Sequence, residues 1–127
     1  MFDLDETLWS NWAHIDANDM SYQPEAWRIW CDNGNAPAIE SVCAVYAAAQ
    51  RLGLAVFFIS TRDEPDRCGT VKNLLAIGCC VYEQLLLMPN SYTGTMGSFK
   101  TATRAQLEVD GYCIIANIGD QVQKPPF

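Results

Sequence analysis

The run Leu54-Ala-Val-Phe-Phe-Ile59 is apolar at every position and rich in branched and aromatic side chains. That is the pattern of a strand buried on both faces. Ahead of it, Ile39, Val42, Cys43, Tyr46 and Ala49 recur at three- and four-residue spacing, which predicts a helix with one apolar face, stopped at Gly53. Behind it, Asp63 is the expected N-cap of a second helix. Pro65 lies early in that helix, Val71, Leu74 and Leu75 form its inner face, and Gly78 ends it. Leu85-Leu-Leu-Met88, closed by Pro89, reads as the next strand. Residues 91–98 are rich in Gly, Ser and Thr and read as a loop, Thr101 to Asp110 as a helix closed by Gly111, and Cys113-Ile-Ile-Ala-Asn-Ile118 as the last strand. Met1-Phe2 reads as the tail of a first strand. The segment from about 11 to 37 holds Trp12, Tyr22, Trp27 and Trp30 without a strand pattern, and reads as a partly helical insertion over one end of the sheet.

Strands alternating with helices predict an α/β fold, a parallel sheet with helices on both faces. A chain of 127 residues suits a single domain over 1–127. The hydrophobic fraction of 50% is enough for a core. The net charge of -7 argues against nucleic acid as a partner, because phosphate backbones need Lys and Arg to displace their counterions. It leaves a small phosphorylated substrate open, since a bound cation supplies positive charge locally. No apolar run approaches the roughly 18 residues of a membrane span, so no membrane partner is expected, and no signal-peptide pattern precedes the third residue. The six cysteines (Cys31, Cys43, Cys68, Cys79, Cys80, Cys113) form no C-x-x-C pair, and His14 is the only histidine. Buried thiols or one or two disulfides are expected, and not a zinc site. His14 is expected to pack within the insertion.

In open parallel sheets, ligands bind beyond the carboxyl ends of the strands. Asp3 and Asp5 follow the first strand, Ser60, Thr61 and Arg62 the second, and Gly119 and Asp120 the last. Three carboxylates in a small volume repel one another unless a cation lies between them. Oxygen donors of this kind suit a hard ion such as Mg²⁺.

These residues carry a resemblance. Phe2-Asp-Leu-Asp-Glu-Thr-Leu8 resembles the D-x-D-x-T signature of haloacid-dehalogenase-like (HAD) phosphatases. Phe57-Phe-Ile-Ser-Thr-Arg62 resembles the second motif, F-I-T/S-G-R. Ser98-Phe-Lys100, read as lying before a helix, resembles the third, and Asn117-Ile-Gly-Asp-Gln121 the fourth. Ala36-Pro-Ala38, Thr70-Val-Lys-Asn-Leu74 and Asp110-Gly-Tyr112 are similar to the acid phosphatase branch, which includes plant vegetative storage proteins and bacterial class B/C acid phosphatases.

The resemblance implies a three-layer Rossmann-like core and a Mg²⁺-dependent acid phosphatase working through an aspartyl-phosphate. It implies Asp3 as nucleophile and Asp5 as general acid and base. Ser60 and Lys100 are expected to stabilise the phosphoryl group. Asp3, Asp5 (through its main-chain carbonyl) and Asp120 are expected to hold Mg²⁺. Thr7, Thr61 and Arg62 are expected on the substrate side, Thr7 also orienting Asp5 or capping the turn. A secreted, vacuolar or periplasmic location is implied in the same way.

Three features differ from the family pattern. Thr61 stands where glycine is usual, Lys124 stands where a second acid follows Asp120, and both ends look short. They motivate an alternative, a weakly active or inactive protein of the same fold that stores or binds phosphate-bearing ligands. A shortened first strand would also expose apolar surface, which favours a homo-oligomer.

Overall fold

The computed structural model describes residues 1–121. Five helices and two strands follow in the order α1 (Trp12–Ala17), α2 (Pro24–Asn33), α3 (Glu40–Arg51), β1 (Phe57–Asp63), α4 (Arg67–Ala76), β2 (Gln84–Met88) and α5 (Met96–Val109). β1 and β2 pair in parallel. Phe2 bridges in parallel to Phe58 on one side and to Ile118 on the other. The lateral order is therefore 118, 2, β1, β2, all parallel, as the alternating pattern predicts.

Two of the four expected strands are only single bridges. Residues 112–117 carry no ladder. The backbone here meets the first strand through the Met1 amine donating to the Ala116 carbonyl at 2.9 Å and the Ile118 N–H donating to the Met1 carbonyl.

One face of the sheet carries the main core, where Phe2, Leu4, Leu8, Trp9, Tyr46, Phe58, Leu74, Leu85 and Leu87 pack together. Tyr46 of α3 stacks on Phe58 at 6.1 Å and meets Phe2 edge-on at 6.3 Å. Phe57, pointing the opposite way along the strand, meets Tyr112 edge-on at 4.7 Å, and α5 packs against β1. Helices thus cover both faces. At the amino end of the first strand, Val45, Leu52, Leu54, Tyr112 and Ile115 are exposed around an apolar cavity of 280 Å³.

Several boundaries move. β1 begins at Phe57, not Leu54, and runs on to Asp63. Leu54 instead closes α3, its N–H reaching the Ala49 carbonyl beside Gly53 at φ 69°. Asp63 caps nothing with its side chain; a short 3₁₀ turn, Glu64–Asp66, intervenes before α4. Leu75 is exposed, and the inner face of α4 is carried by Leu74 and the buried Asn73. The Asn73 amide donates to the Ala36 carbonyl and accepts from the Ala36 N–H, which ties the exit of the insertion to α4. α5 starts at Met96 because Thr95 caps it, accepting from the Ser98 N–H at 3.1 Å. Lys100 therefore lies within the helix and not ahead of it.

The insertion is closed by its stems. Trp9 bridges Ala38 antiparallel, and Ser10 and Ile39 donate to the Pro37 and Leu8 carbonyls. Between these stems α1 and α2 form the expected partly helical segment. α2 crosses α4 so closely that a Cβ on Gly69 would fall 2.0 Å from the Cys31 carbonyl oxygen.

All six cysteines are free thiols. Cys43 and Cys79 lie 3.9 Å apart without a bond. Burial pushes the thiols of Cys31 and Cys79 up to about 12, with neighbouring Cys43 adding to the shift at Cys79.

Two predictions follow from this packing. Gly69→Ala lowers the free energy of unfolding by about 1–3 kcal/mol, read by urea denaturation, and an unchanged midpoint would contradict the close crossing. A small alkylating reagent at pH 8 labels the exposed Cys68, Cys80 and Cys113 in the native chain and spares Cys31 and Cys79, as counted by intact mass. Rapid labelling of either buried thiol would show that α4 and its neighbours open.

Candidate active site

The first strand ends at Asp3. Its N–H donates to the Ile118 carbonyl at 2.9 Å, while Phe2 is hydrogen-bonded to Phe57 and Ile59 on the other side. The chain then turns sharply. The Leu4 carbonyl accepts from Thr7, Leu8 and Trp9, and Glu6 adopts φ 53°, a left-handed conformation costly for a side-chain-bearing residue. The Glu6 carboxylate offsets that cost by accepting the Asn11 N–H at 2.6 Å and the Ser10 hydroxyl at 3.4 Å.

This turn presents Asp3 and Asp5 to different surroundings. Asp3 Oδ1 accepts the Leu4 N–H at 2.8 Å. Asp3 Oδ2 meets Lys100 Nζ at 2.6 Å, a lysine that α5 delivers across the sheet ends. Burial raises the Asp3 pKa, against the partial offset of Lys100 and the Leu4 N–H.

Asp5 is held on several sides. Its Oδ1 accepts from Trp9 Nε1 at 3.0 Å, Asn11 Nδ2 at 2.8 Å, and Arg62 Nε and Nη2 at 3.0 and 2.7 Å. Its Oδ2 has a 3.0 Å contact with Arg62 Nε and a long 3.4 Å one with the Ser60 hydroxyl. Burial pushes the Asp5 pKa up, but the charge and hydrogen bonds of Arg62, with those of Asn11 and Trp9, more than reverse it, so the net shift is down.

Arg62 reaches Asp5 because β1 is irregular at its end. Ser60 pairs with Leu87 and Asp63 with Met88, which leaves Thr61 and Arg62 unpaired. A bulge of this kind re-aims side chains. The guanidinium lies 4.9 Å from the Trp9 ring centre and 5.3 Å from that of Trp27. Its Nη1 reaches the Thr70 hydroxyl at 3.4 Å and its Nη2 the Asn11 carbonyl oxygen at 3.5 Å. Ser60 is buried, and its hydroxyl accepts the Arg62 N–H at 3.1 Å.

The expected residues converge, with changes of partner. Asp3, Asp5, Ser60, Arg62 and Lys100 share one end of the sheet. Arg62, expected on the substrate side, spends its donors on Asp5, Asn11 and Thr70. Thr7 is buried and accepts the Asp120 N–H at 3.0 Å, so it tethers the last loop. Thr61 is half-buried. Gly119 lies beside Asp3, its Cβ position 3.6 Å from Asp3 Cβ, so the last loop, with the exposed Asp120, comes to Asp3. Among the described residues, no three His, Cys, Asp or Glu side chains cluster closely enough to hold a metal. The Asp5 carboxylate, committed to Arg62, is not available as a side-chain ligand. Lys124 lies outside the described residues.

Sequence reasoning missed Glu6, Trp9, Asn11 and Trp30 as parts of the site. Trp30 Nε1 donates to Asn11 Oδ1 at 2.8 Å, and His14 packs between Trp27 and Trp30 at 5.5 and 5.6 Å, as expected for insertion packing. The available signal was the spacing of Trp9 and Asn11 four and six residues after Asp5, within reach of one turn.

The chain is 34% identical over 127 residues to acid phosphatase 1 of Solanum lycopersicum, covering 95% of this chain and 49% of that protein. It is 33% identical over 125 residues to vegetative storage protein 1 of Arabidopsis thaliana, covering 95% and 46%. It thus spans about half the length of these curated relatives. The fold is similar to that of a class C acid phosphatase from Bacillus anthracis, solved with tungstate bound, at a TM-score of 0.77 and 24% identity over 94% of this chain and 49% of that one. A profile of HAD subfamily IIIB matches residues 1–124. With that profile spanning nearly every residue, and the strand ends carrying the expected side chains, the chain belongs to the HAD superfamily, subfamily IIIB, the acid phosphatases.

Proposed function

We propose that this protein hydrolyses small phosphomonoesters through an aspartyl-phosphate on Asp3. The observation that carries the reading is the 2.6 Å pair of Asp3 and Lys100, set beside Asp5 and Ser60 at the carboxyl ends of the strands. Asp3 attacks phosphorus, a bond forms between its carboxylate oxygen and the phosphoryl group, and the ester oxygen leaves. In the fraction of molecules in which it is protonated, Asp5 gives its proton to the departing oxygen, and then as a carboxylate takes one from the water that releases phosphate. Lys100 offsets charge on Asp3 and on the phosphoryl oxygens, and the Ser60 hydroxyl donates to them.

The donor set fits a divalent cation with hard oxygen ligands, for which we propose Mg²⁺. Asp3 and Asp120 would hold it by carboxylate, and Asp5 by its main-chain carbonyl. When bound, it screens the nucleophile from the phosphate and stabilises developing charge. The Thr7–Asp120 hydrogen bond and the Gly119–Asp3 contact support this assignment, because they bring the last loop to Asp3. A second reading, a storage or phosphate-binding protein without turnover, is favoured by the 33% identity to a vegetative storage protein.

Release of phosphate from an aryl phosphate separates the two. The chain turns over in the presence of Mg²⁺, loses activity with a chelator and regains it on adding the metal. Asp3→Asn falls to background, and Lys100→Met loses about 10²-fold in kcat. Turnover that survives Asp3→Asn would sink the nucleophile assignment. Calorimetric Mg²⁺ binding with no turnover between pH 4 and 8 would select the storage reading.

A further inference from the structure

Arg62 is the most heavily engaged side chain of the site, and none of its contacts points to a ligand. Among the described residues no buried side-chain polar atom lacks a partner. The guanidinium is 2% exposed, bonded to Asp5, Asn11 and Thr70, and covered by Trp9 and Trp27. The four donors on Asp5 Oδ1 come from three residues: Trp9 and Asn11 in the first turn, and Arg62, with two nitrogens, at the bulged end of β1. The insertion secures two of these. Trp30 of α2 fixes the Asn11 amide by donating to its oxygen, which forces the NH₂ group toward Asp5. Trp27 of the same helix lies over the guanidinium. Oδ2 is left with one shared Arg62 contact and a long one to Ser60.

We propose that Arg62 is a positioning residue and not a substrate ligand. Together with Asn11 and Trp30 it immobilises Asp5 through Oδ1, so that Oδ2 faces the reacting group. This rests on the role assigned above to Asp5 and adds the residues that hold it. The planar fork is essential, because it spans both carboxylate oxygens where an ammonium would make one point contact. The insertion is thereby part of the catalytic machinery. Its helix α2 fixes the orientation of a carboxylate it does not itself carry.

Kinetics of the full chain on an aryl phosphate test this. Arg62→Lys keeps the charge and loses the fork; kcat per folded molecule falls about 10²-fold, with KM within about twofold. Trp30→Phe removes a single N–H and keeps the ring; kcat falls about three- to tenfold, again at unchanged KM. In an Asp5→Asn background, Arg62→Lys costs no more than about twofold, because residues acting as one unit are not additive. A rise in KM at constant kcat would make Arg62 a substrate ligand and overturn the proposal. A further 10²-fold loss in the Asp5→Asn background would overturn it too, since Arg62 would then act elsewhere than through Asp5.

A readout independent of turnover separates this inference from the phosphatase reading. The Arg62 Nε–H resonance is slow to exchange in the wild type and becomes fast in Asp5→Ala. If the wild type releases no phosphate, the phosphatase reading fails alone, while a protected Nε–H still supports the clamp. A fast-exchanging Nε–H in the wild type overturns the clamp whatever the kinetics show.

Discussion

Arg62 and Asp5 meet at 2.7 Å with the arginine side chain almost entirely out of water. Taking two charges out of water costs several kcal/mol for each, and their attraction repays this only where the remaining donors and acceptors are also filled. Here they are filled. Trp9 and Asn11 complete the carboxylate, Thr70 takes a further guanidinium nitrogen, and two indole rings cover the cation. Each of these partners needs a local departure from regular structure. Trp9 and Asn11 need the left-handed turn at Glu6, Arg62 needs the bulge after Ser60, and Trp27 needs an insertion whose stems close at Trp9 and Ala38. The pair is the point at which the first turn, β1, α4 and α2 are joined.

The same arrangement divides the two aspartates. They stand two residues apart, yet burial dominates at Asp3 and raises its pKa, while the charge and donors around Asp5 lower its own. Neighbouring carboxylates driven apart in this way are the usual basis for giving them different tasks. Lys100 reaches Asp3 from a helix that the sequence places far away, and Thr7 holds the main chain of the last loop by accepting the Asp120 N–H. The last loop comes to Asp3, while Asp5 is covered on its Oδ1 side by Trp9, Asn11 and Arg62.

Much of this was legible in the sequence, and the reasons are specific. The parallel sheet could be read because Val56 to Ile59 and Leu85 to Leu87 are continuous apolar runs bounded by turn residues. The convergence of side chains could be read in part because Asp3, Asp5, Ser60 and Asp120 follow predicted strands; Lys100, expected ahead of a helix, reaches Asp3 from within α5. The N-terminus of α5 was missed because Thr95 sits in a Gly- and Ser-rich stretch that reads as loop, although its hydroxyl caps the helix. The hydrogen-bond partners of Thr7 and Arg62 were missed for a different reason. A hydroxyl or a guanidinium beside a phosphatase motif reads as a substrate contact, and only the packing shows that Asp120 and Asp5 already occupy them. Asn11 and Trp30 lie in a segment with no periodic signal, so their hydrogen bonds could not be placed before the fold was known.

The central claim is that Asp3 carries the phosphoryl group. Acyl phosphates are reduced to alcohols by borohydride, which would convert a phosphorylated Asp3 to homoserine. The direct measurement is peptide mapping by mass spectrometry after the chain is quenched during turnover and reduced. The account predicts homoserine at position 3, absent without substrate and absent in Asp3→Asn. Reduction at another carboxylate, or none while phosphate is being released, would contradict it.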